Sequence, residues 1–96
     1  MKLVISQEAI KWFKDEMDVS PEQAVRFFAR YGGSNPFHEG YSIGMSVDEP
    51  IEAAVTLEQG GLHFFIEQDD LWFFNDHDLH VDVNTDTEEL TYEYVQ

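Results

Sequence analysis

Four histidines (His38, His63, His77 and His80) and twenty Asp and Glu side chains are the groups in this 96-residue sequence that could hold a cation or move a proton. Imidazole and carboxylate together can bind a divalent metal. The spacing does not assemble such a site. His77 and His80 lie three apart, which on a strand places them on opposite faces, so they chelate together only if the turn before Leu79 bends back. His63, between Leu62 and Phe64, is expected to be a partly buried or hydrogen-bonded hairpin residue. His38 sits beside Glu39 in a Gly-rich loop and is the most open of the four. Ser34 lies in the same loop, but a catalytic serine needs a base within reach and an oxyanion site, and no nucleophile-elbow pattern surrounds it. Gly32 and Gly33 turn the chain there, with Ser34 and Asn35 bonding local backbone. Adjacent acids such as Asp69-Asp70 and Glu88-Glu89 diverge on a strand and read as solvated surface rather than as acid–base pairs. The sequence has no phosphate-binding Gly-Lys motif, Rossmann glycine pattern or zinc-protease helix. No catalytic, metal or cofactor site is assigned, and a non-enzymatic protein is expected.

Charge narrows the partners. Five basic against twenty acidic residues give a formal charge of −15, which repels nucleic acid and anionic membranes and favours a basic protein partner. Such an excess also serves solubility alone. Hydrophobic residues make up 43% of the chain, with eight Phe, four Tyr and two Trp, enough for a folded core in spite of the charge. The chain has no cysteine and therefore no disulfide or thiolate. No apolar run approaches the roughly 20 residues of a membrane span, and the N-terminus has no signal-peptide pattern, so a cytoplasmic protein is expected.

The elements that must position these residues are organised around Val25 to Pro50. Val25, Phe27, Ala29 and Tyr31 alternate with Arg26 and Arg30, and after the loop Tyr41, Ile43, Met45 and Val47 alternate with Ser42, Gly44 and Ser46. The loop from Gly32 to Gly40 is longer than a usual hairpin connection, and such loops often carry function. It is expected to be exposed, with Asn35, Phe37 and His38 at its tip and Phe37, His38 and Tyr41 as partner contacts. Before it, Lys2 to Ile5 reads as a strand and Ser6 caps a helix to about Asp18. Ser20-Pro21-Glu22-Gln23 signals a new helical turn. Beyond it, Ala53–Leu57 and Leu62–Glu67 form a hairpin about Gly60-Gly61, and alternating strands follow around Leu79–Val83 and Leu90–Tyr94. Leu71-Trp72-Phe73-Phe74 is too short to assign as helix or strand. The whole chain, residues 1–96, is expected to be one α+β domain, β-rich, with six or seven short strands and an N-terminal helix. Phe27, Ile43, Met45, Leu57, Phe64, Val81 and Tyr92 are expected to be mostly buried.

Strand, Gly32-Gly33, short loop, aromatic residue, strand and then Asp48-Glu49-Pro50 is an order similar to that of the HesB/IscA-like A-type iron–sulfur carriers. The resemblance implies a HesB-like fold, a short helix near Leu71–Phe74, and an accessory role in iron–sulfur cluster assembly. It also marks Gly32, Gly33, Ser34 and Asn35 as the ligand-loop positions. In that family the loop carries a cysteine and a Cys-Gly-Cys tail carries two more. Here Ser34 or Asn35 occupies the loop position, and neither replaces a soft thiolate at neutral pH. The protein is therefore not expected to carry a cluster itself. The alternative is an acidic interaction module on the same scaffold, holding a protein partner through Phe37 and Tyr41, with no iron–sulfur role.

Overall fold

Ser6 begins the helix as expected: its Oγ accepts the Ala9 backbone N–H at 3.1 Å. In the computed structural model, which describes residues 1–33 and 38–96, helix α1 runs Gln7–Glu16. It buries Ala9, Ile10 and Phe13, the helically spaced stripe, and leaves Lys11, Lys14, Asp15 and Glu16 in water. It stops short of Asp18, whose backbone is left-handed at φ 52°. Ser20–Gln23 closes as a turn instead of a helix. Gln23 N–H donates to Ser20 O, while the Gln23 side chain accepts from Ser20 N–H.

The strands are β1 (Leu3–Ile5), β2 (Ala24–Tyr31), β3 (Tyr41–Val47), β4 (Ala53–Gln59), β5 (Leu62–Glu67), β6 (Asp78–Asn84) and β7 (Glu89–Val95). A 3-10 helix, Gln68–Phe74, lies between β5 and β6. The architecture is the α+β, strand-rich single domain that the alternation indicated. One sheet has the order β3-β2-β5-β4 and the other β1-β6-β7. β2 and β3 pair antiparallel from Val25↔Val47 to Tyr31↔Tyr41, and β2 runs parallel to β5. β1 runs parallel to β6. Gly60 and Gly61 both take positive φ in the β4–β5 turn, which a side chain would oppose.

Phe13, Phe27, Phe64, Phe73 and Phe74 are almost fully buried, together with Ile5, Val25, Leu62, Ile66, Leu79 and Val81. Their rings meet edge-on or stacked, with Phe13 at 5.1 Å from Phe64 and Phe27 at 6.1 Å from Phe64. Phe27, Phe64 and Val81 thus occupy the expected core. Ile43, Met45, Leu57 and Tyr92 are mostly buried as well, packed against the core at its margin. β3, β4 and β7 are edge strands, so side chains in phase with the core lack a neighbour on one side.

No described helix is long and apolar enough to cross a membrane.

Candidate functional site

Among the described residues, exposed aromatic side chains gather where the 3-10 helix meets the facing ends of β2 and β3. The position of the helix is fixed from below by an ion pair. Arg26 on β2 donates from Nη2 to Asp70 Oδ2 at 2.7 Å, and Asp70 Oδ1 accepts the Ala29 backbone N–H at 3.3 Å. Asp70 is 8% exposed, so the expectation of solvated acids at Asp69-Asp70 fails for the second of the two. Burial without these donors would be costly, and with them Asp70 pins the 3-10 helix to the strand. The same hydrogen bond, ahead of the opposing cost of burial, raises the Arg26 pKa above its ordinary value. The guanidinium also lies 5.2 Å from the Phe28 ring centroid, and that ring covers Gly44. A Cβ at Gly44 would fall 2.5 Å from Phe28 Cζ, so any side chain there would push the ring off its place.

Once Asp70 is pinned, the four apolar residues that follow cannot all face inward. Phe73 and Phe74 enter the core, while Trp72 is turned outward and remains 49% exposed. Trp72 meets Tyr41 edge-on at 5.4 Å and His38 at 4.8 Å. Tyr41 in turn meets Tyr31 at 5.7 Å, and Tyr31 is 86% exposed. His38 Nε2 lies 3.3 Å from the Trp72 carbonyl oxygen. These four side chains form a continuous platform of large, amphipathic rings. Such residues supply contact area with little entropy to lose on binding, and they are enriched where proteins dock.

Two of the expected contacts, His38 and Tyr41, therefore belong to the platform. Gly32 and Gly33 stand beside it at positive φ, 113° and 71°, and Gly32 N–H donates to Gly40 O at 2.7 Å, closing the base of the loop. Ser34, Asn35 and Phe37 lie outside the described residues. Trp72 and Tyr31 were missed as site residues. The signal for Trp72 was its place in a run of four large apolar residues, of which a short helix can bury only part. Tyr31 is in phase with Phe27 but comes last before two glycines, beyond the reach of the core.

The remaining histidines do not join this surface. His63, on β5, is exposed, with Nδ1 3.8 Å from Glu58, so the hairpin position did not bury it. His77 Nδ1 bonds the Asn75 carbonyl at 2.7 Å. His80 stands on β6 opposite Glu93. No three His, Asp or Glu side chains among the described residues gather as a metal site. The perturbed acids and phenols have local causes. Ser6 Oγ–H donates to Asp82 at 2.7 Å and, with the Val83 N–H, lowers the Asp82 pKa. Burial raises Tyr92, and burial followed by the neighbouring Tyr92 pushes Tyr94 up to about 12.

A protein of Bacillus subtilis (strain 168) named pyruvate dehydrogenase inhibitor is 45% identical to this chain over 94 residues, covering 98% of this chain and 99% of that protein. The chain belongs to its family. Uncharacterized proteins of Staphylococcus saprophyticus, 37% identical over 96% of this chain and 97% of theirs, and of Staphylococcus haemolyticus, 30% identical over 96% of each, extend that family. No protein-family model matches the chain, and no solved structure does. The likeness to the pyruvate dehydrogenase inhibitor runs nearly end to end, so β2, β3 and the 3-10 helix that build the platform all lie within the shared length.

Proposed function

We propose that this protein is a non-enzymatic regulator that binds pyruvate dehydrogenase and lowers its activity. The observation that carries the reading is the 45% identity with the Bacillus subtilis pyruvate dehydrogenase inhibitor across almost the whole of both chains. The site geometry supports a binding role. Tyr31, Tyr41, Trp72 and His38 offer a docking face, and Asp70, beneath it, holds Trp72 in place through Arg26. The charge of −15 favours a basic face on the enzyme and speeds the encounter at low salt. The platform supplies the apolar centre, and the surrounding acids orient the approach.

The test adds the purified protein to pyruvate dehydrogenase from the same organism and follows pyruvate turnover alongside direct binding. Inhibition that saturates with bound protein is the expected result. Undiminished turnover with no binding at about 100 µM protein, a concentration at which even weak specific complexes form, would refute the reading.

The resemblance to the HesB/IscA-like carriers enters this proposal as a statement about the scaffold: β2, the Gly32-Gly33 turn, β3 and the Asp48-Glu49-Pro50 corner follow that family's order. Cluster carriage has no thiolate to rest on, since the chain has no cysteine. Anaerobic incubation with iron and sulfide is expected to leave no chromophore after desalting. A stoichiometric chromophore that survives desalting would restore the carrier role.

A further inference from the structure

Among the edge strands, β3 stands apart. β7 carries Glu89 and Glu93, β1 is three residues long, and β4 has a register shift between Ala53 and Val55 and carries Glu58. β3 has seven residues, Tyr-Ser-Ile-Gly-Met-Ser-Val, with no charge, no proline and an unbroken register. Exposed edges are ordinarily blunted by charge, proline or a bulge, because a row of unpaired N–H and C=O groups invites another strand. In a chain with twenty acidic residues, Tyr31 to Val47 holds one, Glu39.

The hydrogen-bond phase shows which groups are free. Gly32 N–H bonds Gly40 O at one end of the β2–β3 pair, and Asp48 N–H bonds Ala24 O at the other. Bonded pairs recur every second residue in an antiparallel ladder, so Arg30–Ser42, Phe28–Gly44 and Arg26–Ser46 are the bonded pairs between them. Ile43, Met45 and Val47 therefore turn both backbone groups away from β2. Ile43 and Met45 also keep part of their side chains in solvent, and Val47 is exposed.

We propose that a second copy of this chain pairs antiparallel along β3 about a two-fold axis at Gly44, joining two four-stranded sheets into one. Under that axis Ile43 faces the partner's Met45 as a hydrogen-bonded pair, and Tyr41 faces the partner's Val47 with only its carbonyl to offer, since its N–H is held by His38 O at 3.3 Å. Ser42 faces the partner's Ser46, and Gly44 meets its twin at the non-bonded position, where facing residues come closest. Every pairing is apolar on apolar or small on small. Charge selects a copy over a basic protein as the occupant. Two bodies of −15 approach closely only where both surfaces are neutral, whereas a basic partner gains nothing from a strip cleared of acid. The proposal does not depend on the target enzyme.

Sedimentation equilibrium of the unmodified protein tests it. The mass is expected to rise from 11.2 kDa towards twice that value with concentration, and to rise further in about 0.5 M salt, which screens the repulsion. Val47→Lys, at an exposed position that leaves the fold intact, is expected to weaken association at least tenfold. The absence of native cysteine allows a second, independent readout. Ser42→Cys combined with Ser46→Cys is expected to oxidise to a covalent dimer, because facing positions come within disulfide reach. The two positions on one strand are roughly 13 Å apart and cannot bridge. Ser42→Cys alone is expected to remain monomeric on a non-reducing gel. A constant monomer mass at all concentrations and salts would overturn the proposal, as would equal cross-linking of the single and double variants. Protection of the β3 amides from exchange only when pyruvate dehydrogenase is added would also overturn it, and would assign the edge to a strand of the enzyme.

Discussion

Two aromatic groups meet at the 3-10 helix and have opposite fates. Phe13, Phe27, Phe64, Phe73 and Phe74 carry no polar atom on their rings and close into the core. Tyr31, Tyr41, Trp72 and His38, each with a polar atom on its ring or side chain, gather one residue away on the surface. Trp72 and Phe73 are neighbours in sequence and stand at 86° to each other with centroids 6.0 Å apart. The boundary between the core and the exposed aromatic platform thus runs between two consecutive residues. Aromatic content alone does not tell a core from a binding site. The backbone anchor at Asp70 decides which ring faces which way.

That contrast can be broken most severely from the inside. Phe27→Ala is expected to cost about 3–5 kcal/mol of stability, read in a denaturant melt, because Phe27 is fully buried among Phe13 and Phe64. Asp70→Ala is expected to cost roughly 1.5–3 kcal/mol, since it removes a charge-assisted hydrogen bond and leaves Arg26 without its partner. It should also disturb enzyme binding, because Trp72 loses its anchor, and so it joins the two groups in one variant. Tyr31→Ala is expected to lower affinity for pyruvate dehydrogenase by about 2 kcal/mol, as for an aromatic hot spot. Its melting should shift by no more than about 0.5 kcal/mol equivalent, since the residue is largely in solvent. A Tyr31→Ala variant that loses stability and keeps its affinity would move Tyr31 from the docking face to the fold.

The smallest expected effect concerns Tyr94, a phenol between the two extremes. Burial raises its pKa from the usual 10.0 to about 12, so the folded protein holds that proton more tightly than the unfolded chain does. Its contribution to stability is complete below pH 10 and is lost as the pH rises through about 12. Tyr94→Phe is expected to flatten the alkaline limb of a pH–stability curve over that interval. An unchanged slope would assign the alkaline loss to other groups.

Much of this was legible in sequence. The alternation from Val25 to Tyr31 and from Tyr41 to Val47 located β2 and β3 and the loop between them, because a half-buried strand writes its period into its residues. Ser6 announced α1 by a local hydrogen bond. What sequence concealed was non-local. Asp70 is 44 positions from Arg26, and nothing beside Asp70 indicated that a partner would come from β2. That Ile43 and Met45 are less completely covered than Phe27 follows from the position of β3 at the edge of its sheet, which periodicity does not encode. The site followed the same division. Of the platform residues, His38 and Tyr41 were singled out in sequence because they lie in and just after a Gly-rich loop, whereas Trp72 arrives from a distant helix held by that same ion pair.

The parallel pairing of β1 with β6 has a consequence in time. Lys2 N–H bonds Asp78, Ser6 bonds Asp82 and the Trp12 indole bonds the Glu88 carbonyl, each across 76 positions. Among the described strands β1 pairs only with β6, so during synthesis Leu3–Ile5 waits for a partner strand that is made 76 positions later. Until β6 arrives, β1 lacks the strand that pairs with it, although α1 can already pack Phe13 against Phe27 and Phe64. Closing so long a loop before any contact rewards it slows folding into the range of milliseconds to seconds typical of non-local β topologies. The interval before that closure is when this protein is most exposed to aggregation and proteolysis.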